Sequence, residues 1–404
     1  MNSQTKIRLL ELAIVVMVAG FAGYVLYEKK NKEPETPAAV CLPPMPLNEV
    51  VDTPVIPGWR GLPPMGYRPN PDGTEEFLKS MEKPTIREAG PELFNPANAG
   101  PPGKTSSLYQ SPQEGAYPYR ALFKAHQQIY GEEWVCGTQG IGDCVSWGWH
   151  HAVAIASAVE FTQGNTSTWK LPATEAIYGG ARVEGSGHPG DGVRPYGGYS
   201  DGSYGGVAAK WVHDRGGILY REKYDKFDLS KYSPKVAKEW GAFGCGGKGD
   251  NGFADSIAKK HPCKRVALVT TFEEAAAAIR SGYPVPVCSN QGFRSVRDAD
   301  GVSAPSGTWA PCMCFIAVRY DKPGLLCLNS WGPEWIKGPK FPSDQPDGSF
   351  WVSVGTVNRM LAGKDSFAVS AVDGFPFRPL DNAAWVYNRP KVGRSDTPLY
   401  VLSP

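Results

Sequence analysis

The stretch "GTQGIGDCVSWGWHH", residues 137–151, limits the fold more than any other part of this chain. A glycine-rich polar loop gives way at Cys144 to an apolar run that continues through "AVAIASAVEF". That run is apolar on most sides, so it predicts a buried helix of about four turns. A chain of 404 residues with 41% apolar content can supply the core around it. The position of Cys144 is also chemical, because a helix N-terminus stabilises a thiolate. The glycines ahead of it let backbone N–H groups approach a substrate carbonyl. Gln139, five residues earlier, carries a side-chain amide suited to an oxyanion.

Further elements follow the same reading. "GGVAAKWVHDRGGI" (205–218) predicts a helix that stops at Gly216 and Gly217. "TFEEAAAAIRSG" (271–282) predicts a helix capped by Thr271, with Glu274 completing a capping box and Gly282 ending it. Strands are expected at 283–289, 312–320, 325–330 and 348–354. A helical part precedes a strand-rich part, which predicts an α+β protein of two subdomains.

The N-terminal region reads differently. Residues 12–26, "LAIVVMVAGFAGYVL", are uncharged and predict a single-pass membrane anchor within residues 1–30. A cleaved signal peptide, and hence a secreted protein, is the alternative. Basic residues flank both ends, so orientation stays open. Residues 28–118 hold 18 of the 37 Pro, and residues 31–118 are expected to be an extended tether or pro-region. The texture changes near 119; a domain is expected over 119–375, with a C-terminal extension at 376–404.

The second chemical stretch is "LNSWGPEWIKG", residues 328–338. An Asn side chain there can orient an imidazole, and the adjacent Trp can shield that bond from water. Together, "QGIGDCVSWG" and "NSWGPEWIKG" resemble the papain-like (cathepsin-type) cysteine peptidases. "DGSYGGVAAKWVHDRGGI" is similar to the Gly-Gly element that lines the family's cleft. The resemblance spans roughly residues 118–375 in family order. It implies a papain-like fold with a helical left part and an antiparallel, β-rich right part. It further implies that Cys144 is the nucleophile, Gln139 the oxyanion donor and Asn329 the group orienting the catalytic His. Gly205 and Gly206 would bind substrate backbone as an extended strand, and Trp331 would cover the Asn–His pair beside them. Its implied partner is a peptide or protein substrate in the cleft.

Three departures qualify that picture. Gln139 lies five residues before Cys144, where the family usually has six. Asp143 suits a helix cap, yet its charge opposes ionisation of the neighbouring thiol. The family's general base is a His at the start of the strand before NSWG, and "APCMCFIAVRY" contains none. Pro311 or Met313 occupies the place, according to how the turn before Asn329 is aligned. The six His are His126, His150, His151, His188, His213 and His261. His150 and His151 fall roughly 9–10 Å along the helix from Cys144, beyond reach of its sulfur. His188, in a glycine-rich loop, is the remaining substitute to consider. The two readings are therefore an active thiol peptidase and a pseudo-peptidase whose cleft binds peptide or serves as a structural module.

Other classes find little support. Net charge is +2 without a long basic block, which argues against nucleic acid. The groupings "CMC" (312–314) and "HPC" (261–263) lack a matched second half, so no metal is expected. No phosphate loop or dinucleotide fingerprint appears, so no cofactor is expected. The nine Cys leave at least one unpaired, and those in apolar strand-like runs are expected to pack as small hydrophobes.

Overall fold

The computed structural model describes residues 65–95, 115–188, 201–380 and 385. The expected anchor at 12–26, Cys41 and most of the C-terminal extension lie outside the described residues. Among those described, no helix is long and apolar enough to cross a membrane.

The helices in chain order are α1 (Pro71–Lys79), α2 (Ile86–Ala89), α3 (Tyr119–Tyr130), α4 (Cys144–Thr162) and α5 (Thr174–Gly180). They continue with α6 (Gly205–Lys210), α7 (Pro234–Phe243), α8 (Phe253–Ala258), α9 (Phe272–Arg280) and α10 (Val354–Leu361). The strands are β1 (Arg265–Leu268), β2 (Val285–Cys288), β3 (Gln291–Arg297) and β4 (Ser303–Thr308). They are followed by β5 (Cys312–Arg319), β6 (Gly324–Leu328), β7 (Ser349–Ser353) and β8 (Phe367–Ser370). An antiparallel sheet runs β2-β5-β6-β7, flanked by the two-stranded pairs β1-β8 and β3-β4. The architecture is α+β, as the order of elements predicts.

The buried side chains form two apolar cores, and α4 belongs to the first. One core joins α4 to α3, α5 and α6; the other fills the strand-rich part around Phe315, Trp331 and Phe350. β5 is buried along its whole length and alternates between them. Gly148 explains how closely α4 lies on that strand. A Cβ there would stand 2.8 Å from the Met313 carbonyl oxygen, so any side chain would push helix and strand apart.

At α9, Thr271 accepts from the Glu274 N–H at 3.2 Å, as its cap. The Glu274 carboxylate reaches back one residue further than a capping box requires, to the Thr270 N–H at 2.8 Å. At α4 the expected Asp143 cap does not form. Its Oδ2 accepts instead from the Tyr232 hydroxyl at 2.9 Å, and no side-chain cap bond is made.

Residues 65–95 depart from the extended tether expected for them. Asn70 caps α1 by accepting from the Gly73 N–H at 3.0 Å, and Pro71 occupies the first helical turn. Thr85 and Glu88 form a capping box on α2. Tyr67, Phe77 and Ile86 are buried. Proline here starts a helix, where its missing N–H costs nothing, and three apolar side chains hold the segment against the body.

The start of the C-terminal stretch also packs down. Arg378 pairs with Glu160 of α4 and donates to the Ser281 carbonyl, and Leu380 and Trp385 are buried.

Candidate active site

The two chemical stretches of the sequence meet, 191 residues apart in the chain. The Gln139 N–H donates to the Ser330 carbonyl at 2.8 Å, and the Gly332 N–H to the Gly137 carbonyl at 3.1 Å. The Ser330 hydroxyl donates to Gln139 Oε1 at 2.5 Å. Cys144, Gln139, Asn329 and Trp331 thus belong to one neighbourhood, and all four are buried.

Cys144 begins α4, as the sequence predicts, with 1% of its surface exposed. The Cys312 N–H donates to its sulfur at 3.3 Å, and the Gly66 N–H also faces it. The sulfur lies 3.8 Å from the Ala310 carbonyl oxygen. Burial pushes the thiol well above its ordinary range, and the two amides only partly offset this. Burial also raises the Asp143 carboxyl well above the carboxylate range, which favours its neutral form.

Gln139 donates one of its Nε2 protons to the Ile141 carbonyl at 2.9 Å. Asn329 accepts from the Ser330 N–H at 2.8 Å through Oδ1, while its buried Nδ2 has no partner among the described residues. Trp331 packs between Trp309 and Trp335, with ring centroids 5.1 and 5.3 Å away.

The ladder bears on the choice between Pro311 and Met313 only through its last pair. β5 and β6 pair Cys314 with Leu328. Continuing that register by one rung, past the last paired residues, would set Met313 opposite Asn329. Met313 is buried in the strand-rich core beside Trp331, with its sulfur 3.7 Å from that of Cys327. It has no group that takes a proton at neutral pH.

No imidazole compensates. The hydrogen-bond contacts of Cys144 are to backbone groups. His150 Nδ1 lies 2.8 Å from the Pro172 carbonyl oxygen, and His151 is buried among Trp134, Trp147 and His150. Burial drives His151 down to about 3. His188 closes the helical turn after α5, with its N–H on the Val183 carbonyl at 2.9 Å.

Gly205 and Gly206 are engaged otherwise than expected. Their N–H groups donate to the buried Asp365 carboxylate at 2.8 and 2.6 Å, and the Thr74 hydroxyl adds a third bond at 2.7 Å. Tyr67 supplies a fourth. Despite these donors, burial lifts Asp365 to about 6.

The residue that pairs with an extended segment is Ser203, two positions upstream. That segment is the chain's own residues 65–68. The Ser203 N–H donates to the Gly66 carbonyl at 2.8 Å, and the Arg68 N–H to the Ser203 carbonyl at 2.8 Å. On the opposite edge the Tyr67 N–H donates to the Ala310 carbonyl at 3.0 Å. Gly66 packs onto the loop before Cys144, where a Cβ would fall 1.7 Å from the Gly142 oxygen. Tyr67 is 4% exposed. Sequence reading missed this segment because nothing local to "MGYR" specifies a partner more than 100 residues away.

No family model matches the chain, and no curated protein matches it. Among solved structures, similar chain courses occur in xylellain, a cysteine protease from Xylella fastidiosa. That match has 14% identity and a TM-score of 0.42, and covers 80% of this chain and 97% of that one. The Amb a 11 cysteine protease of ragweed pollen, in its proform, is 14% identical with a TM-score of 0.38, covering 66% of this chain and 67% of that one. Digestive procathepsin L 3 of Tenebrio molitor larval midgut is 14% identical with a TM-score of 0.38, covering 74% of this chain and 79% of that one.

Proposed function

We propose that the chain carries a papain-type cysteine-peptidase domain whose cleft holds an extended peptide without efficient hydrolysis, the peptide being its own residues 65–68. The observation that carries this reading is the pairing of that segment on both edges, with Gly66 and Tyr67 closed over Cys144. Peptide hydrolysis needs a base for the thiol and an acid for the leaving amine. The strand before Asn329 carries no His, and the Asn329 Nδ2 has no partner among the described residues. The apolar segment at 12–26 would tether the domain to a membrane, and residues 65–95 would act as an attached cover.

A thiol peptidase uncovered by release of residues 65–68 is the second reading. It is favoured by the two backbone N–H groups aimed at the Cys144 sulfur.

The test is labelling of the full chain with a peptidyl epoxide, with the modified residue located by mass spectrometry. The expected result is no labelling of Cys144 above that of the other eight Cys between pH 5 and 8. Fast, selective labelling of Cys144 would overturn the proposal in favour of the second reading. In a Tyr67→Ala background, Met313→His is expected to raise hydrolysis of a fluorogenic peptide by roughly 100-fold, the scale of one general base.

A further inference from the structure

The C-terminal half of α4 forms one wall of a cavity of about 410 Å³. It lies roughly 14–24 Å along the helix axis from Cys144, at 1.5 Å per residue, and shares none of the residues placed at the cleft. Its size falls within the range of small-molecule sites.

The floor is apolar, formed by Val153, Ala156, Ile218 and Val369 with the Trp169 ring. The wall is fixed rather than loose. Trp169 Nε1 donates to the Ala154 carbonyl and to the Ser157 hydroxyl, both at 3.1 Å. Tyr220 packs against His261 with ring centroids 5.2 Å apart.

The rim is cationic. Lys170, Lys260, Lys264 and His261 all line the opening. Lys170 is neutralised by Glu222 at 2.5 Å. Lys260 and Lys264 make no ion pair among the described residues. The one acid lining the cavity, Glu160, is spent: its Oε1 pairs with Arg378 and its Oε2 accepts from Asn165 at 2.9 Å. Two uncompensated ammonium groups therefore stand at the mouth of an apolar hole.

We propose that this cavity binds a small organic anion with an apolar body, of the class of aryl or medium-chain acyl carboxylates, its head group held between Lys260 and Lys264. The body fills the hole against Val153, Ile218 and Trp169, and the carboxylate stays at the half-solvated rim, where its desolvation is small. This site stands apart from the cleft and does not depend on whether Cys144 is active.

The test is calorimetric titration of the full chain with decanoate at submillimolar concentration, with decanol as the uncharged control. Saturable one-to-one binding of decanoate is expected, at least about fivefold tighter than decanol. The double variant Lys260→Glu/Lys264→Glu should weaken decanoate by roughly tenfold, the scale of two exposed charge contacts, and leave decanol unchanged. Both side chains are exposed, so the variant should fold normally, and circular dichroism checks this. Absence of decanoate binding up to 1 mM, about the weak limit for a functional ligand, would overturn the proposal. So would equal affinity for decanol, or decanoate affinity that the charge reversal leaves untouched.

Discussion

The two ends of α4 were treated in opposite ways by the same chain. At the N-terminal end a thiol, two inward-facing amides and the NSWG strand end converge, and the chain fills the space with its own residues 65–68. At the C-terminal end a cavity of about 410 Å³ lies beside two lysines that make no ion pair among the described residues. The filled end is closed by backbone bonds, a buried tyrosine and a buried carboxylate, which together set one conformation. A closed site is a statement about stability; an open charged cavity is free to be a statement about a ligand.

The sharpest way to break this contrast is to remove the cover. Tyr67→Ala deletes a buried ring and its bond to Asp365, and is expected to cost about 3–5 kcal/mol. Urea unfolding measures the loss. Alkylation of Cys144 by iodoacetamide, mapped by mass spectrometry, should accelerate at least tenfold once the cover loosens, on the scale of a local opening energy lowered by about 1.4 kcal/mol or more. An unchanged alkylation rate would mean the core, rather than the cover, excludes the reagent.

The latch at Asp365 sharpens the comparison through pH. Its pKa is raised from 3.8 to about 6, so between those values the folded state binds more protons than the unfolded one. Stability from this group is therefore full below about pH 4 and is lost as pH rises through about 6, by about 3 kcal/mol in all. The difference in unfolding free energy between the native chain and Asp365→Asn, measured from pH 4 to 8, should show that slope. A flat difference would mean the four donors hold the carboxylate ionised throughout.

The smallest effect is expected at the open end. Lys260→Glu/Lys264→Glu should leave unfolding free energy within about 0.5 kcal/mol of the native chain, as surface changes do. A larger loss would show that the rim charges serve the fold, and would erase the contrast.

Much of the frame was legible locally. The apolar run after Cys144 gave α4, Thr271 and Gly282 bracketed α9, and the apolar runs and the alternation of "GSFWVSV" gave β2, β5, β6 and β7. "NPDG" and "TIRE" already carried the caps of α1 and α2. They were masked by the proline content around them, which reads as extended chain unless each proline's place in a helix start is weighed. The two-residue offset between Gly205 and the pairing residue Ser203 has a different origin. Strand partners are chosen by the facing edge, and the short sequence "DGSYGG" does not say which of its amides meets one.

By itself the sequence determined the apolar helix that begins at Cys144, the capped helix after Thr271, four of the strands, and that no His stands in the strand before Asn329, because these depend on residue type and spacing. Tertiary structure alone decided that β5 pairs Cys314 with Leu328, that Gly205 and Gly206 serve Asp365, and that residues 65–68 lie between Ser203 and Ala310. Each of these is a pairing across a long loop. Register, burial and charge compensation are properties of the facing surface, and a chain does not write its facing surface next to itself.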